Sequence, residues 1–281
     1  MRSILPTAAF LAIAGAANAA VLHDNGPFIT NPTGGTGSIA GLPISNADGF
    51  TVPGSTFVFS TTGVAATVAT ATAAADDFTV PAGGWDLDTL TLFAFQTTQT
   101  TPRVTQVHLN LWTSAPFSAG SPGPLPDPIP QPLLAAALVL DAGPGTFVAH
   151  RQSATSTGTV RPVFSYTVSL DAFPDLGRLG AGTYWLEWSF SGALTPSPNV
   201  FMPLVSPRTS VTDHNARLLN SLSGAAGDPR VWFEGREGFV PGQAEGRAYE
   251  LPFILGGTPI PAPGAVAIGT MALGIAPRRR R

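Results

Sequence analysis

The chain predicts an all-β fold, two packed antiparallel sheets forming a jelly-roll-like sandwich, and three observations lead there. Apolar residues recur with period two: Val107, Leu109 and Leu111 point one way, and Gln106, His108, Asn110 and Trp112 the other. The alternating segments are short and punctuated by turn residues, with 31 glycines and 28 prolines among 281 residues. Helical periodicity is scarce and there is no internal repeat, so many short strands must bury their apolar faces against one another.

In chain order, residues 21–49 are rich in Gly, Asn and Pro and read as irregular, and Phe50 to Ser60 and Val64 to Thr72 read as early strands. Asp76 to Val80 is a short strand, Pro81 to Gly84 a turn, and Trp85 opens a strand running to about Thr97. Val104 to Thr113 follows, with one face core and the other wet. Seven prolines within the 17 residues 116–132 exclude a central strand and predict an extended surface loop. Leu133 to Leu140 fits a strand or a short helix equally well. Val163 to Leu170 alternates again, with Phe164, Tyr166, Val168 and Leu170 inward. The turn at Leu179 to Gly182 feeds an aromatic strand whose Tyr184, Leu186, Trp188 and Phe190 share one face. Val200 to Val205, Arg230 to Glu234 and Arg247 to Leu255 complete the set, roughly a dozen strands.

The ends have a different character. Arg2, the apolar run Ile4 to Ala16 and the small-x-small site Ala17-Asn18-Ala19 predict a secretory signal peptide over 1–19. Residues 20–258 form the sandwich, and 259–281 a separate C-terminal segment. There Pro261-Ala262-Pro263-Gly264 precedes an uncharged run from Ala265 to Ala276, then Pro277 and Arg278, Arg279, Arg280 and Arg281. A run of that size spans only about 18 Å as a helix against a hydrocarbon core of roughly 30 Å, so transient insertion suits it better than a permanent span. The arginines are expected to stay cytoplasmic, leaving the rest of the chain outside.

This order of turn motif, hydrophobic run and basic tail resembles the PEP-CTERM sorting signal of Gram-negative bacteria, with Ala262 standing where that family has a central Glu. The resemblance covers the last 21 residues and implies an exosortase-type processing enzyme, the export machinery and delivery to the cell surface or its exopolysaccharide. A second resemblance, carried by Asp76-Asp77-Phe78-Thr79-Val80-Pro81, the Gly83-Gly84-Trp85 turn and Gly182-Thr183-Tyr184-Trp185-Leu186, is to an uncharacterised β-rich domain of exported, C-terminally tagged bacterial proteins. It implies surface placement and carries no catalytic assignment.

Composition narrows the chemistry. There is no cysteine, so the exported fold stands on its core without disulfides, and there is no thiol nucleophile or thiolate metal site. All 14 basic residues are arginine, which excludes Schiff-base and P-loop lysines. Between the two end segments acidic residues outnumber arginines, which argues against nucleic acid as a partner. No Gly-x-Ser-x-Gly elbow occurs, and His23, His108, His150 and His214 lack metal-ligand spacing.

Two constellations suggest binding. Asp76, Asp77, Asp86 and Asp88 bracket one turn, a pattern suited either to Ca²⁺ or to capping turn amides. Trp112, Asn110 and His108 share a strand face, and Trp185 lies beside Glu187, so a ring and nearby polar groups are available to a sugar or to cover a sheet. The expected function is that of a non-enzymatic exported surface or matrix protein, with a lectin-like, Ca²⁺-dependent module as the alternative. A polysaccharide-acting enzyme would need two carboxylates roughly 5 to 10 Å apart across a cleft.

Overall fold

The computed structural model describes residues 19–33, 41–46, 63–118, 130–134, 136–152, 158–171, 178–193, 200–203, 215–221, 230–234, 236–237, 247–248 and 250–262. Eight strands make the frame: β1 (Ala20–Asp24), β4 (Ala73–Val80), β5 (Trp85–Phe95), β6 (Val104–Trp112), β7 (Leu138–Asp141), β9 (Pro162–Ser169), β11 (Gly182–Gly192) and β17 (Phe253–Pro259). They pair as β1-β17-β5-β9 in sheet A and β4-β11-β6-β7 in sheet B, all antiparallel. In chain order they cross between sheets, the first strand pairs with the last, and the two Greek keys of a jelly roll result.

Further strands widen both sheets. β8 (Thr146–Gln152) and β2 (Ile44–Asn46) extend sheet A beyond β9, and β13 (Arg217–Ser221) and β14 (Arg230–Glu234) extend sheet B beyond β4. The short β3 (Val64–Ala65), β10 (Arg178–Leu179) and β12 (Phe201–Met202) attach to sheet A, and β15 (Arg236–Glu237) pairs with β16 (Arg247–Ala248). Sheet A is mixed, because β2 runs parallel to β8, with Ile44 opposite His150.

The core lies between the sheets. Phe164, Tyr166, Val168 and Leu170 of sheet A meet Val107, Leu109, Leu111, Leu186, Trp188 and Phe190 of sheet B, all buried. Each such side chain stabilises the fold by roughly 1.5 to 3 kcal/mol through burial, which is how a cysteine-free sandwich of this size holds together. On β5 the inward set changes phase, from Trp85 and Leu87 to Leu90, Leu92 and Ala94. The cause is a bulge at Asp88: Leu87 pairs with Gly257 and Thr89 with Gly256.

Sheet A has a second apolar layer outside. Phe28 packs on Phe93 at 4.8 Å, joined by Phe95, Ala149 and Val163. Within it Arg151 is buried and donates to Ser45 Oγ at 2.6 Å, while Ser45 Oγ donates to the Phe28 carbonyl at 2.6 Å. That bond fixes β2 onto β8.

Several elements differ from the sequence reading. Val64 to Thr72 is not one strand: β3 stops at Ala65 and Val68–Thr70 is a 3-10 turn closed by Ala71 in the left-handed region. Of Leu133 to Leu140, Leu138 to Leu140 belong to a strand. Strands β1 and β2 lie inside the span read as irregular, because backbone pairing to β17 and β8 outweighs weak local propensity there. Phe50 to Ser60 and most of the proline-rich stretch lie outside the described residues.

Candidate functional site

The outer face of sheet B gathers the residues that suggested sugar binding. Pairing sets Trp185 opposite Trp112, Glu187 opposite Asn110 and Ser189 opposite His108, so period two places all five candidates on one surface. Trp112 Nε1 donates to Glu187 Oε2 at 2.7 Å. His108 Nε2 lies 2.9 Å from Ser191 Oγ, and Asn110 Oδ1 accepts the Leu111 N–H at 2.9 Å. Burial pushes the Glu187 carboxyl up, and the Trp112 N–H pulls it partly back. Burial also pushes His108 down, so its imidazole favours the neutral form.

These rings are covered. Trp112 is 8% exposed and Trp185 7%. Beneath them β4 offers the small Ala73 and Ala75, with Asp77 opposite Trp185, and Trp112 reaches across to Trp232 of β14. The two indoles meet edge to face with centroids 6.4 Å apart, although β11, β4 and β13 separate their strands. Leu219 and Ala115 pack on the cluster, and the Arg217 guanidinium sits 6.0 Å from the Trp185 ring centre. The arrangement is a closed aromatic layer with a hydrogen-bonded carboxyl in its wall. Trp232 and Arg217 escaped the sequence reading; their alternation within short strands was the available signal.

The four aspartates do not converge. Asp76 points between the sheets, Asp77 occupies the next position of β4 on the opposite face, Asp86 lies on β5 and Asp88 occupies the bulge. Asp86 receives Arg178 Nε at 2.8 Å and Nη2 at 3.0 Å, and this partner holds its carboxyl below the usual range. Among the described residues no three His, Asp or Glu side chains are grouped to hold a metal ion. Spacing suggests Ca²⁺, but strand alternation sends Asp76 and Asp77 to opposite faces of β4, and Asp86 and Asp88 lie on β5 of the other sheet.

Asp76 has different company. Its side chain is 0% exposed, and its Oδ2 accepts the Leu251 N–H at 2.7 Å and Asn25 Nδ2 at 2.9 Å. The same Asn25 nitrogen lies 3.0 Å from Glu250 Oε2 and 3.0 Å from the Leu251 carbonyl, while Glu250 Oε1 accepts the Asn215 N–H at 3.2 Å. Burial first, and then the neighbouring Glu250, push the Asp76 carboxyl well above its ordinary value. His23 lies beside this cluster, against Phe253 at 5.0 Å, and burial pushes its imidazole down. Asp76 and Glu250 are both buried.

His150 is also buried. It lines, with Leu42, Phe147, Pro162 and Phe164, an apolar hollow of about 260 Å³. His214 lies outside the described residues. Of the end signals, Ala19 is exposed just before β1, and Pro261 and Ala262 follow β17; Ala17, Pro263, Gly264 and Arg278 to Arg281 lie outside the described residues. Among the described residues no helix is long and apolar enough to cross a membrane. Comparison of the chain with protein-family models and with curated proteins found no match.

Proposed function

We propose that this protein is a non-enzymatic jelly roll displayed at the bacterial cell surface or in its exopolysaccharide, exported by its first 19 residues and sorted through residues 259–281. One observation carries the reading. Among the described residues the first strand begins at Ala20, directly after the small-x-small site, and the last ends at Pro259, just before Pro261-Ala262-Pro263-Gly264. Both end segments can therefore be removed at the cost of the last residue of β17 and the Ile260 contact with the β4–β5 turn. Register adds to this: Ala20 lies opposite Gly257, so the two segments leave the sandwich side by side. An exosortase-type enzyme acting on the tail would meet it next to a defined edge, where Ile260 N–H, just before Pro261, donates to the Gly84 carbonyl at 2.9 Å.

The lectin-like alternative draws less support, since the two rings it depends on are covered by their own neighbours. Fractionation of host cells tests the preferred reading. Deleting residues 259–281, or replacing Arg278 to Arg281 by Gln, should move the protein from the envelope fraction to the medium or trap it unprocessed. An unchanged distribution for both variants would contradict sorting through the tail.

A further inference from the structure

The carboxyl groups of Asp76 and Glu250 share a side-chain donor, Asn25, that comes from the end of an edge strand. We propose that Asp76, Asn25 and Glu250 form a pH-sensitive clasp that holds β1 on the sandwich while Asp76 keeps its proton and releases it when rising pH removes that proton.

The geometry sets which part moves. Asp76 belongs to β4, which is fixed between β11 and β13, and Leu251 leads into β17, which is fixed between β1 and β5. Asn25 instead follows directly on β1, whose strand partner is β17 alone. One amide group, Asn25 Nδ2, reaches Asp76 Oδ2, Glu250 Oε2 and the Leu251 carbonyl within 2.9 to 3.0 Å. A protonated Asp76 can donate to the Glu250 side chain, whereas an ionised Asp76 places a negative charge beside a second carboxyl group at a fully buried position. Moving Asn25 and β1 aside admits water at the smallest structural cost.

Among the described residues, the charged groups on the strands beside Asp76 are acidic, held neutral or turned away. From β1, His23 is held toward its neutral form by burial, against the pull of its neighbour Asp24. On β4, Asp77 is acidic and points to the other face, and the segment entering β13 presents the uncharged Asn215. Arg217 of β13 lies on the far side of sheet B, over Trp185. Among the described residues, the charged group acting on Asp76 is Glu250.

The sign follows from the direction of the shift. The folded-state value is raised, so the clasp's contribution is complete below the ordinary carboxylate range and is lost as pH climbs through the raised value. Above that point one proton is linked to opening, and the opening constant of β1 increases by up to about tenfold per pH unit.

Hydrogen exchange with mass spectrometry on the full chain, over a pH series and corrected for intrinsic amide chemistry, reads this directly. The peptide covering 19–25 should show an opening constant that rises up to about tenfold per pH unit above an onset, while the peptide covering β11 stays level. Asp76→Asn should keep the β1 peptide closed across the series. The substituted amide retains an oxygen for Asn25 and Leu251 and loses only the 2.9 Å bond that Oδ1 accepts from the Asp77 N–H. A level β1 profile in the unsubstituted chain would overturn the clasp, whatever the variant does. So would a rise shared equally by β11, or one that persists in the folded variant.

Discussion

Trp112 and Glu187 are joined across the β6–β11 ladder by a 2.7 Å hydrogen bond from indole N–H to carboxylate oxygen. Removing the donor leaves the carboxyl with a lost partner in a partly buried setting. Trp112→Phe should therefore destabilise the fold by about 1 to 3 kcal/mol in urea unfolding. It should also raise the pKa of Glu187 further, since the Trp112 bond is the influence that lowers it. Because the folded value already lies above the ordinary one, stability drawn from Glu187 falls as pH rises through that value, and Trp112→Phe shifts the fall to higher pH. A variant whose stability-pH curve overlays that of the parent chain would contradict the linkage.

The alanines under the indoles are required by size. Ala75 is fully buried and lies in the trough that Trp112, Trp185 and Trp232 close. Ala75→Leu should cost about 1 to 3 kcal/mol through overpacking and shift the tryptophan emission to the red as the rings are displaced. Ala75→Gly would leave the emission near its original position.

The turn between β4 and β5 needs glycine. Gly83 has φ +106°, and a Cβ there would stand 2.2 Å from the Ile260 carbonyl oxygen. Gly83→Ala should cost about 2 kcal/mol or more in thermal or denaturant unfolding, since both backbone strain and a backbone clash oppose it. Gly180→Ala serves as the control, because a Cβ there meets nothing within 4 Å. Equal losses at the two sites would refute the packing described for residues 260–262.

The Asp86–Arg178 pair lies on the surface, and Asp86 was one of the four candidate Ca²⁺ ligands. Asp86→Asn should leave the melting temperature unchanged, because solvent screens such pairs. Millimolar CaCl₂ should shift the melting of the parent chain and of this variant equally. A Ca²⁺-dependent rise that Asp86→Asn abolishes would restore the metal site.

Much of the fold was legible where alternation runs unbroken. Val107 to Leu111, Phe164 to Leu170 and Tyr184 to Phe190 point inward as their period of two requires. Alternation could not show the slip at Asp88, since a bulge is fixed by the facing Gly256-Gly257 backbone as much as by its own strand. Nor could it show β1 or β2, whose pairing partners lie far along the chain. Asp76 sits beside Asp77 and near Pro81, so it resembled a turn carboxylate; its parity with Phe78 and Val80 was the signal that it faces the core. Its partners Asn25 and Glu250 were beyond reach, because 51 residues and then more than three times that span separate the contacts that only the closed jelly roll brings together.

Intact-mass analysis of the protein recovered from the surface and medium of its own host tests the central claim most directly. The account predicts a species starting near Ala20 and ending close to Pro261, with the sandwich whole and Arg278 to Arg281 gone. Recovery of a chain that retains both Met1 and the arginine tail would contradict export and sorting through these two segments.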